Sequence, residues 1–244
     1  QSGQSGRSEF VSLILRESKH SMSTSAYLFV KKKVKKRLKK YYRALRGDHF
    51  DNAGAVTALD YQVIQIAIDE VRPSSYIEIG TGKGVSATHV FNYLQEKFPA
   101  CQFYTLEIFQ EHYDNILRKY KDYPTFHALL GLSVTRDETT NPAFDELANY
   151  KGPVDTLRDL LEKEFSDKKV DMVFIDSRKG SALAEFKLVE KYMSKDGIVF
   201  CHDILNRGKG VEVLSYLQEF RERYLYDVLD TGPAGIIRIR FITK

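Results

Sequence analysis

Five polar side chains at 176–179 and 202–203 are of the types that bind ions or move protons. They are Asp176, Arg178, Lys179, His202 and Asp203, and each group stands at the end of an apolar run that predicts a buried strand. Two carboxylates can hold Mg²⁺ together with its waters. Histidine has the free pKa nearest to neutrality, which makes His202 a candidate general base. These residue types predict a divalent-metal site, general base catalysis on a hydroxyl, or both.

Three glycines in five positions lie between an apolar run and a predicted helix in the stretch YIEIGTGKGVSATHVF. Glycine permits positive φ and lets a ligand approach the backbone, and the helix that follows offers unpaired N–H groups. Gly82, Gly84 and Ala87 fit a loose dinucleotide pattern. Starting from Glu78, the pattern instead places a carboxylate two residues before Gly80, which suits a ligand with a positive charge or an ammonium group. The residues alone leave both cofactors, and an empty turn, open.

Glu107 ends the next predicted strand, FYTLEI, about where an acid binds both hydroxyls of a ribose. Either cofactor would use this carboxylate, so Glu107 does not choose between them. Its spacing from the glycine loop joins the two features into one candidate nucleoside site.

The elements that must position these residues alternate between strands and helices. The predicted strands are 76–80, 103–108, 126–131, 170–176 and 197–203, and the helices are 86–98, 109–120, 154–165, 181–193 and 211–224. Parallel strands need crossover connections, so this alternation predicts a parallel sheet covered on both faces. Two final strands, 225–230 and 235–242, lack a crossover helix and predict an antiparallel hairpin at one edge. The predicted fold class is α/β, a Rossmann-like, doubly wound, mostly parallel seven-stranded sheet with an N-terminal helical extension.

The net charge of +4 is concentrated in one segment of the chain. Residues 31–46 contain ten Lys or Arg and no acid, so the remaining 27 basic and 33 acidic residues carry about −6. No stretch approaches 18 consecutive apolar residues, which predicts no membrane-spanning helix. The two cysteines, Cys101 and Cys201, do not indicate a disulfide framework, so we expect a reducing, cytoplasmic location.

Residues 31–46 form the centre of a predicted basic amphipathic helix. Its apolar stripe can pack on the core or on a second subunit in a homodimer, its charges can bind nucleic-acid phosphates, or the helix can lie on an anionic membrane. The stripe is modest and has no Trp, which favours packing over membrane insertion. We expect residues 1–8 to be a flexible leader, 9–54 a helical extension and 55–244 the main domain.

Several stretches, in order, resemble the motifs of class I S-adenosylmethionine-dependent methyltransferases: EIGTGKGVSA, TLEI, GLS, VFIDSRKG and GIVFCHD. The resemblance covers residues 55–244 and includes the final hairpin, which a dinucleotide dehydrogenase does not normally have. It implies that Glu78 lies near the amino group of the methionine moiety, that Glu107 binds the ribose hydroxyls and that Ile108 packs on the adenine. The other implied cofactor contacts are Gly80, Thr81, Gly82, Gly84, Ser86, Gly131, Leu132, Ser133 and Asp176.

The end of the fourth strand is similar to the D-x-x-K pattern of the catechol and caffeoyl-CoA type O-methyltransferases. In that family the aspartate binds a divalent ion and the lysine is a base, which implies roles for Asp176 and Lys179. Asp203 falls at the family's second metal-binding aspartate, but Ile204 stands where an asparagine, the third ligand, is expected. Asn206 lies two residues further on and could substitute only if the loop differs. GIVFCHDI also resembles a broader methyltransferase group in which His202 would be the base.

The resemblance implies transfer of a methyl group from S-adenosylmethionine to a hydroxyl oxygen of a small-molecule acceptor, with assistance from Mg²⁺ as a further expectation. A rival function is an RNA methyltransferase that uses residues 31–46, although no motif for exocyclic amines follows the fourth strand. An NAD(P)-dependent oxidoreductase and a binding domain that keeps the fold without catalysis also stay open. The sequence does not indicate the acceptor.

Overall fold

Seven short segments form the strands of one sheet in the structure, a computed structural model that describes residues 56–139, 150–205, 209–232 and 234–242. The strands are β1 (Ser75–Ile79), β2 (Gln102–Glu107), β3 (Phe126–Leu130), β4 (Val170–Ile175), β5 (Met193–His202), β6 (Tyr224–Leu229) and β7 (Ile236–Phe241). Their order in the sheet is β3-β2-β1-β4-β5-β7-β6. The first five strands are parallel, and β7 runs antiparallel to β5 and β6. The predicted α/β fold with a C-terminal antiparallel hairpin is confirmed.

Helices cover both faces of the sheet because successive side chains of a strand point to opposite faces. In the described ranges they are α1 (Ala58–Val71), α2 (Val85–Lys97), α3 (Gln110–Tyr120), α4 (Thr156–Glu164), α5 (Ala182–Val189) and α6 (Val211–Glu219). The helices α1, α2 and α3 pack on the face that contains Tyr76 and Phe103. The helices α4, α5 and α6 pack on the face that contains Ile77 and Tyr104. The sheet is therefore buried on both sides, as a doubly wound fold requires.

The boundary between α5 and β5 differs from the prediction. The helix predicted over 181–193 ends at Val189, and β5 begins at Met193, earlier than predicted. Met193 pairs with Val170 of β4 ahead of an irregularity in the register. The apolar residues of this stretch extend the helical pattern in the sequence, but strand pairing with β4 determines their conformation.

The strand register brings four polar or glycine residues together at the carboxyl ends of the parallel strands. Ile79 pairs with Leu106 on one side and with Ile175 on the other, and Ile175 pairs with Cys201. The next residue along each strand stands in the same row: Gly80, Glu107, Asp176 and His202. The strand order reverses between β1 and β4, and open α/β sheets bind ligands outside the carboxyl ends of the strands at such a point.

Three further observations concern membrane-spanning helices, the cysteines and the predicted N-terminal extension. Within the described residues, no helix has both the length and the apolar character that crossing a bilayer requires. Cys101 and Cys201 are both buried free thiols. The predicted leader at 1–8 and the extension at 9–54, with the basic helix at 31–46, lie outside the described residues.

Candidate functional site

The loop between β1 and α2 leaves open space beside its backbone. Gly80, Gly82 and Gly84 have positive φ values of 97°, 52° and 74°. A methyl group on Gly80 would overlap the carbonyl oxygen of Asp176, so this glycine lets the loop pack against the end of β4. A methyl group on Gly82 would meet nothing within 4 Å. Gly82 is therefore the point at which a ligand can approach the loop backbone.

Glu78 is a fully buried carboxyl group in β1, beneath this loop. Ser86 at the start of α2 donates its hydroxyl to Oε1 of Glu78, while Oε2 has no hydrogen-bond partner among the described residues. Burial raises the pKa of Glu78 to about 8, against the hydrogen bond from Ser86 and with help from the charges of Asp176 and Glu107. A buried acid with an unpaired oxygen is suited to a cationic group from a ligand.

Glu107, the last residue of β2, faces the glycine loop. Its Oε2 accepts a hydrogen bond from the backbone N–H of Gly82 at 2.7 Å, and its Oε1 accepts from Ile108 and Phe109 at 2.8 and 2.9 Å. These bonds engage three of the roughly four lone-pair positions of the carboxylate. A ligand diol that binds both carboxylate oxygens would therefore replace at least one of these three hydrogen bonds.

Two other predicted cofactor residues differ in their surroundings. Thr81 is buried, and its hydroxyl donates to the carbonyl oxygen of Leu106 at 3.0 Å, so its side chain anchors the loop to β2. Ile108 is half-buried just after β2, next to the carboxylate of Glu107. Ile108 is thus placed where a ring could pack, whereas the hydroxyl and the backbone N–H of Thr81 both donate to Leu106.

The segment after β3, which contains Gly131, Leu132 and Ser133, is tied to the end of β4 through Glu185 of α5. Ser133 and Ser177 both donate their hydroxyl groups to the buried carboxyl group of Glu185. Burial raises the pKa of Glu185, although the hydrogen bonds from the serines oppose the shift. Glu185, which no sequence motif marked, fixes these two loops relative to each other.

His202 ends β5 and lies buried among three carboxylates. Its Nδ1 is 3.3 Å from Oδ1 of Asp176 and 3.7 Å from Oδ1 of Asp203, and its Nε2 is 3.6 Å from Oδ2 of Asp60. Burial alone would lower the pKa of His202, but Asp176 and Asp60 raise it to about 9. At neutral pH the imidazole is therefore protonated, and only 1% of the residue is exposed.

Asp60, near the start of α1, completes this arrangement and was missed from the sequence. Its Oδ2 accepts hydrogen bonds from the backbone and hydroxyl of Thr57 at 2.6 and 2.7 Å, and Thr231 donates to its Oδ1. Burial raises the pKa of Asp60, but the imidazole of His202 at 3.6 Å and the hydrogen bonds from Thr231 and Thr57 outweigh it and lower the pKa overall. Thr57-x-x-Asp60 is a capping box, and this pattern was the signal available in the sequence.

Lys209 brings an ammonium group into the gap between Asp176 and Asp203. Its Nζ is 2.5 Å from Oδ1 of Asp176, 3.2 Å from Oδ2 of Asp203 and 3.2 Å from the backbone oxygen of Asp176. Burial opposes the shift, but the two carboxylates raise the pKa of Lys209. No sequence motif identifies Lys209, because it lies between two glycines in a loop.

The predicted catalytic residues are not all brought together. Lys179 is exposed, and no hydrogen bond or ion pair joins it to another described residue. Asp203 lies in the cluster with φ of 58°, a left-handed conformation that is uncommon outside glycine and is found at functional sites. The side chains of Asp176, Asp203 and Lys209 are 13%, 16% and 26% exposed, so a ligand can reach these three groups.

Comparison with known proteins adds a family and a set of similar folds. A profile of the methyltransferase domain family matches residues 77–204, more than half of the chain. An O-methyltransferase from Bacillus cereus, solved in complex with SAH, is 15% identical with a TM-score of 0.56, and the match covers 96% of this chain and 97% of that chain. The SAH-bound methyltransferase PaMTH1 from Podospora anserina is 16% identical with a TM-score of 0.53, and the match covers 100% and 98%.

A third solved structure is similar over much of its length. The O-methyltransferase TomG from Streptomyces achromogenes, which is involved in tomaymycin synthesis and was solved in complex with SAM, is 15% identical with a TM-score of 0.51. The match covers 85% of this chain and 96% of that chain. At these identities the three solved structures show that the fold is shared.

Proposed function

The chain belongs to the methyltransferase domain family, and from this premise we propose that it transfers a methyl group from S-adenosylmethionine to a hydroxyl oxygen of a small molecule. Residues 55–244 would form the catalytic domain. Similar folds that were solved with SAH or SAM support this methyl donor. Family membership also argues against an NAD(P)-dependent oxidoreductase.

We assign the methyl donor to the space between the glycine loop and Glu107. The ammonium and sulfonium charges of S-adenosylmethionine suit Glu78, whose Oε2 has no hydrogen-bond partner among the described residues. The ribose hydroxyls suit Glu107, and the adenine would pack on Ile108. The observation that carries the proposal is the hydrogen bond from Gly82 to Glu107, because it joins the glycine loop and the ribose-binding acid into one site.

The reaction is an in-line displacement at the methyl carbon. The acceptor oxygen forms the new C–O bond as the C–S bond of the sulfonium breaks, S-adenosylhomocysteine leaves as a thioether, and the hydroxyl proton passes to a base. We propose Asp203 as that base, because its carboxylate is within reach of a ligand at the end of β5. A carboxylate is a weak base, so its role is to accept the proton as the C–O bond forms.

His202 acts through its neighbours in this proposal. It is too deeply buried to touch an acceptor. Its Nδ1 lies next to the carboxylates of Asp176 and Asp203, and its Nε2 lies next to the carboxylate of Asp60. Lys179 is exposed, and no described contact joins it to the site, so its predicted catalytic role stays a prediction.

The predicted partners of residues 31–46 stay predictions, because that segment lies outside the described residues. A homodimer contact, an RNA-binding role and an anionic membrane contact all depend on it. The cytoplasmic location also stays a prediction, supported by the two buried free thiols.

The proposal is tested by turnover with S-adenosylmethionine that carries a labelled methyl group. Phenols, catechols and aliphatic alcohols are offered beside amines of the same carbon skeleton, and the products are identified by mass. We expect label on oxygen and a loss of at least about 100-fold in kcat for Asp203→Asn. Asp196→Asn, an exposed residue at the opposite end of β5, is the matched control and should retain full activity. Label found only on the amines, or equal rates for Asp203→Asn and wild type, would contradict the proposal.

A further inference from the structure

The ammonium group of Lys209 contacts both aspartates at the reacting end of the site. A lysine ammonium has three N–H donors. The described contacts supply three acceptors, which are one carboxylate oxygen of Asp176, one of Asp203 and the backbone oxygen of Asp176. Lys209 is therefore placed to act on these two residues.

The same two carboxylates are the ones that the family resemblance assigns to Mg²⁺. One ligand atom each from Asp176, His202 and Asp203 lie within 4.8 Å of one another, so their spacing alone would allow an ion. Mg²⁺ binds carboxylate oxygens at about 2.0–2.1 Å. An ion between Oδ1 of Asp176 and Oδ2 of Asp203 would overlap the ammonium of Lys209, which is 2.5 and 3.2 Å from these oxygens.

The remaining potential ligands do not compensate for this overlap. Ile204 stands at the position of the expected asparagine, is 3% exposed and belongs to the apolar core. Nδ1 of His202 is 3.3 Å from Oδ1 of Asp176, and the histidine side chain is 0% exposed. Among the described residues, the donor set therefore does not fit a divalent ion while Lys209 is in place, and Asn206 lies outside these residues.

We propose that the Lys209 ammonium is the resident cation of this site and that methyl transfer here runs without a divalent metal. The inference rests on the proposed methyl transfer but concerns a different property of the same site. Lys209 is a positioning residue: it holds Asp176 and Asp203 at a fixed separation and offsets the repulsion between their charges. An ammonium has no open coordination position, so the acceptor hydroxyl meets the carboxylate of Asp203 directly.

Metal binding by the folded full chain is the first test, because it does not depend on turnover. Mn²⁺ is titrated into wild type, Lys209→Met and Lys163→Met, and the bound ion is followed by electron paramagnetic resonance. Lys163 is a matched control, with a side chain that is 82% exposed on α4. We expect wild type and the control to bind Mn²⁺ at least about 10-fold more weakly than Lys209→Met, so that bound Mn²⁺ is seen only in the variant. The Mn²⁺ site of the variant should disappear when Asp203→Asn is added.

Turnover is the second test, with an acceptor found in the labelled-methyl assay. We expect wild type to keep its full rate in EDTA, and Lys209→Met to lose about 10- to 100-fold in kcat. Added Mg²⁺ or Mn²⁺ should restore at least part of the rate of the variant, and Lys209→Arg should retain more activity than Lys209→Met. A purely structural role for Lys209 would not produce rescue by a metal.

Three results would overturn the inference. They are Mn²⁺ bound by wild type and lost in Asp203→Asn, wild-type turnover abolished by EDTA and restored by Mg²⁺, and a folded Lys209→Met variant that binds no Mn²⁺. The two wild-type measurements decide the question even if the variant fails to fold. Failure of methyl transfer itself would leave the Mn²⁺ result intact, so the two proposals fail separately.

Discussion

Replacing Glu78 with Gln should weaken cofactor binding by an amount that depends on pH. Glu78 is fully buried, and its pKa of about 8 lies far above its usual value of 4.5. The free protein at pH 6 to 7 therefore holds Glu78 mostly protonated. Binding of the ammonium group of the cofactor favours the ionised carboxylate and releases the proton. Gln resembles the protonated acid and cannot take the ionised form.

The size of the pH effect on cofactor binding follows from the pKa of Glu78. A group with a pKa of about 8 that is ionised in the complex makes the binding constant rise by about 50-fold between pH 6 and pH 8. The α-amino group of the ligand also titrates, and it does so equally in the titrations of wild type and variant. The ratio of the variant and wild-type dissociation constants cancels that contribution, so the ratio itself should grow about 50-fold over this range.

Calorimetric titration with S-adenosylhomocysteine at pH 6, 7 and 8 measures this ratio. Titrations in buffers of different ionisation enthalpy also report the proton released on binding, which should approach one for wild type at pH 7 and zero for Glu78→Gln. Glu96→Gln is the control, because its side chain is 71% exposed. A ratio that stays constant with pH, or wild-type binding without proton release, would refute the assignment of Glu78 to the ammonium group.

The raised pKa of Glu78 makes folding stability fall as the pH rises, whereas it makes cofactor binding stronger. A raised pKa means that the folded protein binds more protons than the unfolded chain between about pH 4.5 and pH 8. The stabilising contribution of Glu78 is therefore fully present below pH 4.5 and is lost as the pH rises through about 8. Glu78→Gln should melt close to wild type at pH 5 and above it at pH 9. One substitution thus weakens binding and raises stability at alkaline pH.

Three further substitutions separate the roles of the remaining site residues. Glu107→Gln should lower the affinity for S-adenosylhomocysteine by about 10- to 100-fold, because a charged acceptor of hydrogen bonds becomes neutral, and calorimetry at pH 7 checks this; unchanged affinity would remove the ribose assignment. Gly80→Ala should destabilise the protein more than Gly82→Ala, since both have positive φ but only the first would overlap the backbone of Asp176; equal midpoints in urea would contradict the role of Gly80. Asp60→Asn should lower the pKa of His202 from about 9, because one of its two main carboxylate partners becomes neutral, and an unchanged imidazole midpoint in an NMR titration would show that Asp60 does not act on it.

Much of the fold could be predicted because the sheet is buried on both faces. Most central strands are short apolar runs that end at a glycine or an acid, as in YIEIG and VDMVFID, and these features need only local sequence. The pattern failed where local and tertiary preferences differ. In α1, the helical spacing of Leu59, Val63 and Ile66 predicts that Ile66 faces the core, but Ile66 is 43% exposed, while Asp60 is 1% exposed. A buried acid in a helix is contrary to the hydrophobic pattern, and only its partners explain it.

The site could be predicted at the strand ends but not beyond them. Glu78, Glu107, Asp176 and Asp203 lie at fixed positions relative to strands, so their motifs carry their location. Lys209 enters through a loop, and its ammonium reaches the two aspartates only because of how the chain folds back after β5. Its distance from Asp176 along the sequence does not determine where its side chain lies, so no motif could have identified it.

Calorimetric titration of the full 244-residue chain with S-adenosylhomocysteine, and separately with NAD⁺, tests the central claim most directly. The account predicts saturable binding of S-adenosylhomocysteine at one site per chain, weakened by Glu107→Gln, and no binding of NAD⁺. A folded protein that binds no S-adenosylhomocysteine, or one in which NAD⁺ binds the same site with higher affinity, would contradict it.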